Sequence, residues 1–290
     1  MNDLSRVIAG VIRWGSWGEQ LSSTKMADMI SQCVENGVTT FDHADVYGNY
    51  TTEREFGDAL IFSGVAREDI QIMSKCGIIK PCSEKPGFII PHYNTSKRHI
   101  LESVDQSLDN LNTDYLDVLF IHRPSPLMDF AEMAEAFHQL KESGKVREFG
   151  VCDFSTHQIR AIHRYFPISY FQCEASLTHN TPIFDGSIDV CQELGIKPMS
   201  WSPVGGERIN KKTRSSKKLK QRLEAVAEKY SWTLTEMNLL WLLHHPANIM
   251  PIIGAGRANK VKEAVNLSDQ IITREQWFEI LRTFRMYDML

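Results

Sequence analysis

Hydrophobic and polar positions alternate along this chain in a regular order. Short runs of β-branched and aromatic residues recur eight times, and each is followed by a stretch with helical periodicity. Most of the runs are apolar on both faces, as expected of parallel strands buried between a core and a layer of helices. The runs cover residues 7–14, 38–44, 69–76, 116–123, 147–153, 169–176, 197–203 and 248–256. The pattern therefore predicts eight strands that alternate with helices.

The segments between the runs carry signals for helix starts and ends. Three pairs of residues have the spacing of a capping box. These pairs are Thr52 with Glu55, Asp129 with Glu132, and Thr233 with Glu236. A glycine follows three predicted helix ends, in the sequences ENG (35–37), ESGK (142–145) and ELGI (193–196), where a positive φ is needed. The signals support a helix between successive strands.

Strict alternation of strands and helices implies right-handed parallel crossovers. Eight such units fit a closed (β/α)₈ barrel better than an open doubly wound sheet, since barrels of this kind use about 250 residues. No change in composition marks a domain boundary. The expected fold is therefore a single α/β domain, a TIM barrel, that spans residues 1–290.

Two connections are longer than a simple loop requires. Residues 77–96 follow the third strand and are rich in proline and glycine, and residues 204–216 follow the seventh strand and are rich in glycine and then basic. Long irregular segments in a compact domain are usually lids or binding loops. Both lie on the C-terminal face, where barrels carry their sites. A last helix, which begins near Thr273 and Gln276, lies outside the eight units and is expected to pack on the barrel exterior.

Composition and charge exclude several classes of protein. The chain is 42% hydrophobic, which is ample for a packed core, and its net charge of −4 provides no overall basic field for a nucleic acid or an anionic membrane. No apolar run is long enough to cross a bilayer, and the N-terminus lacks the pattern of a signal peptide. Six cysteines without a CxxC pair indicate reduced thiols. The protein is expected to be soluble and cytoplasmic.

Four polar residues lie where three predicted neighbouring strands end. Asp42 ends the second strand, Tyr47 follows five residues later, Lys75 ends the third strand, and His122 ends the fourth. Each residue alone has an ordinary structural explanation, as a helix cap, a packed ring or a hydrogen-bonded core residue. Together they form the set needed to protonate a carbonyl oxygen, because a nearby ammonium lowers the pKa of a tyrosine and a carboxylate orients that ammonium. A histidine beside them can hold the carbonyl by a hydrogen bond.

With these motifs the sequence resembles the aldo-keto reductase superfamily. The resemblance rests on FDHADVYG (41–48), MSK (73–75) and FIHRP (120–124), and it extends over nearly the whole chain. SKCGI (74–78), HYNTSKRHI (92–100), IHRPSPLMD (121–129) and REQWF (274–278) look most like the bacterial YdhF-like oxidoreductase branch. The resemblance implies a (β/α)₈ barrel that reduces an aldehyde or ketone with NADPH, with Asp42, Tyr47, Lys75 and His122 as the catalytic tetrad.

The resemblance also assigns residues to the nicotinamide end of the cofactor. Cys152, Asp153 and Gln172 would meet the carboxamide, and Trp201 would stack under the ring. The family more often has Ser-Asn where this chain has Cys152-Asp153. An ionised Asp can accept a hydrogen bond from the carboxamide nitrogen but cannot donate one to its oxygen. The replacement therefore changes how this contact is made.

The phosphates of the cofactor would lie along two further segments. Ser202, Gly205 and Gly206 would form the pyrophosphate loop, in which glycines allow backbone N–H groups to approach. Gly254 and Gly256 would form the turn beside the adenosine phosphate, next to a helix N-terminus. Arg257 and Lys260 would bind the 2′-phosphate of NADPH, although they could also form an ordinary exposed helix face.

Aromatic residues are expected along the substrate pocket. Tyr93 or His92 of the loop after the third strand would line one side, and Trp14 and Trp17 would supply an apolar wall opposite. Simple packing of these aromatic rings onto the rim is an equally good explanation. The expected partner is a small-molecule carbonyl compound, and the expected assembly is a monomer or a weak homo-oligomer.

Two other functions are compatible with parts of the sequence. His43 and Asp45 form an HxD motif after a strand, as in metal-dependent barrel hydrolases. Zinc needs three or four ligands, however, and the other strand ends supply no such set, so no metal site is expected. The second alternative is a regulatory protein that senses NADPH with little turnover. An intact tetrad favours an enzyme.

Overall fold

The computed structural model describes residues 3–205, 213–254 and 258–285, and at 214, 215, 258–260 and 285 it describes the backbone alone. Ten strands occur in this part of the chain. They are β1 (Ile8–Gly10), β2 (Thr40–Asp42), β3 (Gln71–Cys76), β4 (Ile78–Ile79), β5 (His92–Tyr93), β6 (Leu116–Ile121), β7 (Val146–Cys152), β8 (Tyr170–Glu174), β9 (Lys197–Trp201) and β10 (Met250–Gly254). Eight of them form a closed parallel barrel in the order β1-β2-β3-β6-β7-β8-β9-β10. Seven lie within the predicted runs and β7 begins one residue before its run, so the predicted barrel is confirmed.

Helices cover the outside of the barrel. They are α1 (Ser23–Glu35), α2 (Thr52–Ser63), α3 (Lys97–Leu111), α4 (Phe130–Glu142), α5 (Thr156–Tyr165), α6 (Thr181–Phe184), α7 (Ser187–Leu194), α8 (Arg214–Lys229), α9 (Leu234–Leu243), α10 (Ala258–Asn266) and α11 (Arg274–Arg285). The glycines predicted to end helices, at 37, 144 and 195, all have positive φ. The last helix packs on the exterior as predicted, with Trp277 stacked on Trp241 at 5.0 Å between ring centroids.

The three predicted capping boxes have different outcomes. Thr233 and Glu236 form a complete capping box at the start of α9. Asp129 caps α4 as predicted, but Glu132 accepts a hydrogen bond from the Lys97 backbone N–H instead of completing the box. The box predicted at Thr52 is wrong, because α2 begins one residue earlier than expected and Thr51 is its N-cap. The Thr51 hydroxyl donates to the Gly48 carbonyl oxygen and so faces the preceding turn, away from the helix.

The barrel interior is filled by side chains from its strands. These form one cluster of Ile8, Met73, Val118, Phe120, Tyr170, Met199, Met250 and Ile252. The interior has no room for a side chain at position 150, because a Cβ on Gly150 would lie 2.5 Å from the Phe120 ring. A larger apolar cluster packs the helices against the outside of the sheet. The two clusters are the two layers of a (β/α)₈ fold.

Strand register places polar side chains above the interior cluster. Met73 pairs with Asp42 and with Val118, and Lys75 lies two residues beyond Met73, on the same face of β3. Gln172 lies two residues beyond Tyr170 on β8 and pairs with Cys152 on β7. These residues therefore line the C-terminal end of the barrel interior.

The loop after β3 contains a small hairpin that the sequence did not predict. Strands β4 and β5 pair antiparallel, with Ile78 opposite Tyr93 and Ile79 opposite His92. The Tyr50 hydroxyl accepts a hydrogen bond from the Lys80 backbone N–H at 2.9 Å and donates one to the Ile78 carbonyl oxygen at 3.2 Å. The hairpin is thus attached to the rim of the barrel. Among the residues described, none of the helices is long and apolar enough to cross a membrane.

Candidate active site

Lys75 is a buried ammonium group surrounded by oxygen atoms. Its Nζ donates to both carboxylate oxygens of Asp42 at 2.7 Å and to the His43 carbonyl oxygen at 2.6 Å. Burial alone would lower the pKa of Lys75, but the charge of Asp42 and then the proximity of Tyr47 raise it above its ordinary value. Gln172 Nε2 donates to Asp42 Oδ1 at 2.9 Å and fixes the carboxylate from the other side. Lys75 is therefore charged and held in one place.

Tyr47 brings its hydroxyl to this ammonium. The Tyr47 oxygen lies 3.3 Å from Lys75 Nζ. The 3₁₀ turn Tyr47–Asn49 positions the ring. Gly48 in this turn has φ 62°, and a Cβ on Gly48 would lie 2.4 Å from the Thr52 hydroxyl oxygen. A side chain at position 48 would be strained on both counts.

The pKa of Tyr47 corrects one expectation drawn from the sequence. Burial raises the pKa of Tyr47 to about 12. Lys75 acts in the expected direction and lowers this pKa, but its effect is smaller than that of burial. The phenol is therefore protonated at neutral pH, as a proton donor must be.

His122 is the second polar group beside the Tyr47 hydroxyl. Its ring meets the ring of Tyr47 edge to face, with 5.9 Å between centroids. Burial, and then the charges of Lys75 and Arg123, hold the pKa of His122 well below its ordinary value. The imidazole is therefore neutral at neutral pH, and its Nδ1 has no hydrogen-bond partner within the described part of the chain. A neutral imidazole can donate one hydrogen bond to a ligand without transferring a proton.

These groups open onto a cavity of about 1120 Å³. Asp42, Tyr47 and His122 form part of its lining, as do Trp14 and Trp17 on the predicted apolar wall. The loop after β3 contributes Ile78, Ile79, Lys80 and Pro91 to the lining. His92 and Tyr93, the residues predicted from this loop, are exposed and do not belong to the lining, so that expectation is wrong. Both side chains of the two-residue strand β5 are exposed.

Except for Asp153, which does not belong to the lining, the residues expected at the nicotinamide end line this cavity. Cys152, Gln172, Trp201 and Ser202 all line it. The Cys152 thiol lies 3.6 Å from Gln172 Oε1. Asp153 has φ 55°, a left-handed conformation that Asp and Asn adopt more readily than most residues. The carboxyl group of Asp153 forms an ion pair with Arg123.

The residues expected at the phosphates are only partly described. Gly254 lines the cavity, and none of the described residues has an atom within 4 Å of the place where its Cβ would be. Gly205 has φ 56°, and a Cβ there would lie 2.0 Å from the Thr178 hydroxyl, so only glycine fits. Gly206, Gly256 and Arg257 lie outside the described residues, and so does the side chain of Lys260.

Arg123 is a site residue that the sequence analysis missed. It lines the cavity next to His122, and its Nη1 donates to the Cys152 thiol at 3.3 Å. Its guanidinium carbon lies 5.6 Å from the centroid of the Trp201 ring. The available signal was an arginine directly after the strand-end histidine and an aspartate at the end of the next strand. Only the register of β6 beside β7 brings the two together.

His43 and Asp45 of the HxD motif have other surroundings. The His43 ring is fully buried and packs edge-on against Phe56 of α2, with 4.3 Å between centroids, on the outer side of the sheet. Asp45 is partly buried, and its backbone N–H donates to the Lys75 carbonyl oxygen at 3.0 Å. Within residues 3–205, 213–254 and 258–285, no group of three histidine, cysteine or carboxylate side chains could hold a metal ion.

Comparisons with known proteins agree on one family. The model of the aldo/keto reductase family matches residues 6–282 of the chain. The uncharacterized oxidoreductase YcsN of Bacillus subtilis is 44% identical over 98% of this chain and 96% of its own length. The oxidoreductase YdhF of Escherichia coli is 39% identical over 99% and 96% of the two chains. A crystal structure of an aldo/keto reductase from Klebsiella pneumoniae, in complex with NADP and acetate, matches with a TM-score of 0.78 at 20% identity, over 97% of this chain and 92% of that one.

Proposed function

The chain belongs to the aldo/keto reductase family, and from this membership we propose that it reduces an aldehyde or ketone to an alcohol with NADPH, using Tyr47 as the general acid. One observation carries the proposal. The Tyr47 hydroxyl lies 3.3 Å from a buried Lys75 that is bonded to Asp42, at the wall of a cavity that His122 also lines. A proton donor and a neutral hydrogen-bond donor therefore face the same space, and a permanent cation contacts the proton donor.

The surroundings of the cavity fit a nicotinamide dinucleotide. The lining includes hairpin residues, Tyr47 and Gly254 of the last strand, and a volume of about 1120 Å³ is ample for a dinucleotide. Trp201 and Ser202 also line it and would hold the nicotinamide ring and the pyrophosphate. Gly205, Gly206, Gly254 and Gly256 would admit the phosphates. The related Klebsiella pneumoniae structure is a complex with NADP, which supports this choice of cofactor.

The proposed reaction divides the work between the cofactor and the side chains. When bound, the reduced nicotinamide supplies the hydride that adds to the carbonyl carbon. His122 donates a hydrogen bond to the carbonyl oxygen and orients it toward Tyr47. Tyr47 gives its hydroxyl proton to that oxygen, and Lys75 stabilises the tyrosinate that remains. Hydride and proton together complete the alcohol, and Tyr47 then recovers a proton from water.

Replacing Tyr47 tests the proposed acid. Tyr47→Phe should lower kcat for NADPH-dependent carbonyl reduction by about 10²–10⁴-fold, the usual contribution of general acid catalysis. Its Kd for NADPH, measured by fluorescence titration, should stay the same because other residues hold the cofactor. Tyr165→Phe, on the exposed end of α5, is the matched control and should keep full activity. Near-full activity of Tyr47→Phe would contradict the proposal. If the unmodified protein binds NADPH but turns over no carbonyl compound, the alternative of a regulatory protein that senses NADPH is favoured.

Comparing the two dinucleotides tests the choice of NADPH. Arg257 and Lys260 are proposed to bind the 2′-phosphate, and one charge-assisted contact is worth about 1.5–3 kcal/mol, or at least tenfold in affinity. The Kd for NADPH should therefore be at least about tenfold lower than that for NADH. Lys260→Ala should narrow this difference, whereas Lys262→Ala, on the exposed face of the same helix, should not. Equal Kd values for the two cofactors in the unmodified protein would refute the preference.

A further inference from the structure

Arg123 lines the part of the cavity where the nicotinamide is proposed to lie, and it forms an ion pair with Asp153, which does not belong to the lining. Arg123 follows β6 and Asp153 follows β7, and their side chains form a salt bridge while remaining 30% and 27% exposed. Arg123 Nη1 also donates to the His122 carbonyl oxygen at 3.0 Å and to the Cys152 thiol at 3.3 Å. The guanidinium is therefore held beside His122 and Cys152.

A carboxamide needs both kinds of hydrogen-bond partner. Its oxygen accepts and its nitrogen donates, so an asparagine side chain can satisfy either end. An ionised Asp153 can only accept. Gln172 uses one N–H of its Nε2 on Asp42, and the thiol of Cys152 is a weak donor. Among the residues expected from the sequence, the second N–H of Gln172 is thus the one amide donor that remains for the carboxamide oxygen.

Arg123 has donors to spare at this place. Its polar contacts with the described residues all use Nη1, and neither Nε nor Nη2 forms a hydrogen bond with them. The guanidinium lies beside the Trp201 ring, 5.6 Å from its centroid, on the platform proposed for the nicotinamide. A guanidinium cannot lose its charge near neutral pH, so it remains a donor under all working conditions.

From this geometry we infer that Arg123 and Asp153 together bind the nicotinamide carboxamide. Arg123 donates to the carboxamide oxygen, and Asp153 accepts from the carboxamide nitrogen while holding the guanidinium in place. The ion pair takes the place of the neutral amide that the resemblance to the family leads us to expect at position 153. The inference rests on the proposed function, because it requires NADPH in this cavity.

A double-mutant cycle on NADPH binding tests the inference. Arg123→Met should raise the Kd for NADPH by at least about tenfold, the loss expected for one charge-assisted hydrogen bond. In the Asp153→Asn background the same change should raise the Kd less than about threefold, because the new amide supplies a donor. Asparagine suits the left-handed conformation of position 153, so this background should fold without strain.

Arg147→Met is the matched control. Arg147 also forms an ion pair with an aspartate, Asp117, and lies over an aromatic ring, 3.7 Å from the centroid of Tyr115, but at the beginning of β7. Its removal should leave the Kd for NADPH unchanged. Arg123→Gln retains an uncharged N–H donor, and its Kd should lie between those of the unmodified protein and Arg123→Met. These two variants separate the loss of a specific donor from a general loss of stability.

Binding of a cofactor analogue tests the role given to Arg123. In reduced 3-acetylpyridine adenine dinucleotide phosphate a methyl group replaces the carboxamide nitrogen, so only the acceptor oxygen remains. Arg123→Met should weaken binding of this analogue as much as it weakens binding of NADPH. An effect on NADPH alone would overturn the role given to Arg123.

The outcomes also separate this inference from the proposed function. If Arg123→Met raises KM for the carbonyl substrate and leaves the Kd for NADPH within about threefold, Arg123 belongs to the substrate side and the inference is wrong, while the proposed reduction stands. If Arg123→Met raises the Kd for NADPH by the same factor in the unmodified protein and in Asp153→Asn, the inference that the two residues act together is likewise wrong. Failure of the unmodified protein to bind NADPH would overturn both proposals.

Discussion

At the scale of single residues, a buried ammonium controls the charge of the site. Lys75 has oxygen neighbours on Asp42, His43 and Tyr47 within 3.3 Å. An unpaired ammonium at this depth would lose its proton, because burial disfavours the charged form. Asp42 reverses that preference and raises the pKa of Lys75. The cation next to Tyr47 is therefore present at every pH at which an enzyme of this kind is assayed.

The pKa of Tyr47 predicts opposite pH profiles for the two directions of the reaction. Reduction needs the protonated phenol, which predominates below the pKa of about 12. From pH 7 to 10 the kcat for reduction should therefore be flat. Alcohol oxidation needs the tyrosinate, whose fraction grows about tenfold per pH unit below the pKa, so its kcat should rise over the same range. If kcat for reduction falls with a midpoint below pH 9, the pKa of Tyr47 is not raised and this prediction is wrong.

Lys75→Met should damage both directions. The variant should lose about 10²–10⁴-fold in reductive kcat, because the tyrosinate is no longer stabilised. Without the cation the pKa of Tyr47 should rise further, and the oxidative kcat should be lower at each pH than in the unmodified protein. Lys141→Met, which removes a half-exposed lysine paired with Glu148, is the control. A thermal melt accompanies each assay, since Asp42 is left buried without its partner.

At this scale the sequence predicts which polar residues lie at the strand ends, but not the net direction in which the structure shifts the pKa of Tyr47. The strand-end positions of Asp42, Lys75 and His122 follow from the alternation of strands and helices. The net direction of the Tyr47 pKa does not, because burial outweighs Lys75 and its extent depends on the packed loops. The Arg123 and Asp153 pair joins two different strands and depends on register, which a single sequence does not contain.

At the scale of elements, the hairpin of β4 and β5 shapes one wall of the cavity. Tyr50 holds it at both the Ile78 carbonyl and the Lys80 N–H. Lys80 in turn places its ammonium 4.5 Å from the centroid of the Trp17 ring, which lies 6.2 Å from the ring of Tyr47. The hairpin and the loop after β1 thus meet beside the ring of Tyr47. Strands of two residues have no readable period, which is why sequence patterning predicted this segment only as a loop.

Two aromatic substitutions should separate the cavity wall from the hairpin surface. Trp17→Ala removes a lining ring beside Tyr47 and should raise KM for an aromatic aldehyde by about tenfold, equivalent to roughly 1.4 kcal/mol of lost apolar contact. Small aldehydes should be affected less. Tyr93→Ala removes an exposed ring outside the lining and should leave every KM within about twofold. Steady-state kinetics over a panel of carbonyl compounds measure both, and equal effects of the two variants would contradict this assignment of the wall.

At the scale of the whole molecule, burial of titratable groups links folding to pH. Burial, and then the charge of Lys75, lowers the pKa of His43 to about 3, and His122 is lowered as well. Asp45 and Glu53 shift in the opposite sense, because burial raises the pKa of each carboxyl. On acidification the histidines favour the unfolded chain, which binds their protons, whereas the two carboxyls favour the folded one. The net pH dependence is therefore a difference between opposing groups.

His43→Leu isolates one side of this balance. The folded pKa of His43 is about 3 and the unfolded value is about 6.5, so its contribution to stability is present above pH 6.5 and is lost as the pH falls toward 3. Leucine does not titrate, and neither ring nitrogen of His43 has a hydrogen-bond partner in the part of the chain described. At pH 8 the free energies of unfolding of variant and unmodified protein should therefore be similar.

Between pH 8 and pH 5 the two proteins should diverge. The unmodified protein should lose about 2 kcal/mol relative to His43→Leu, because 1.5 pH units below 6.5 correspond to about 1.4 kcal/mol each. Urea unfolding at a series of pH values measures the difference, and the carboxyl groups cancel because both proteins retain them. His157→Leu, on the exposed start of α5, should follow the unmodified protein throughout. Parallel curves for His43→Leu and the unmodified protein would mean that His43 takes up its proton in the folded state, and that the packing of its ring against Phe56 opens to water.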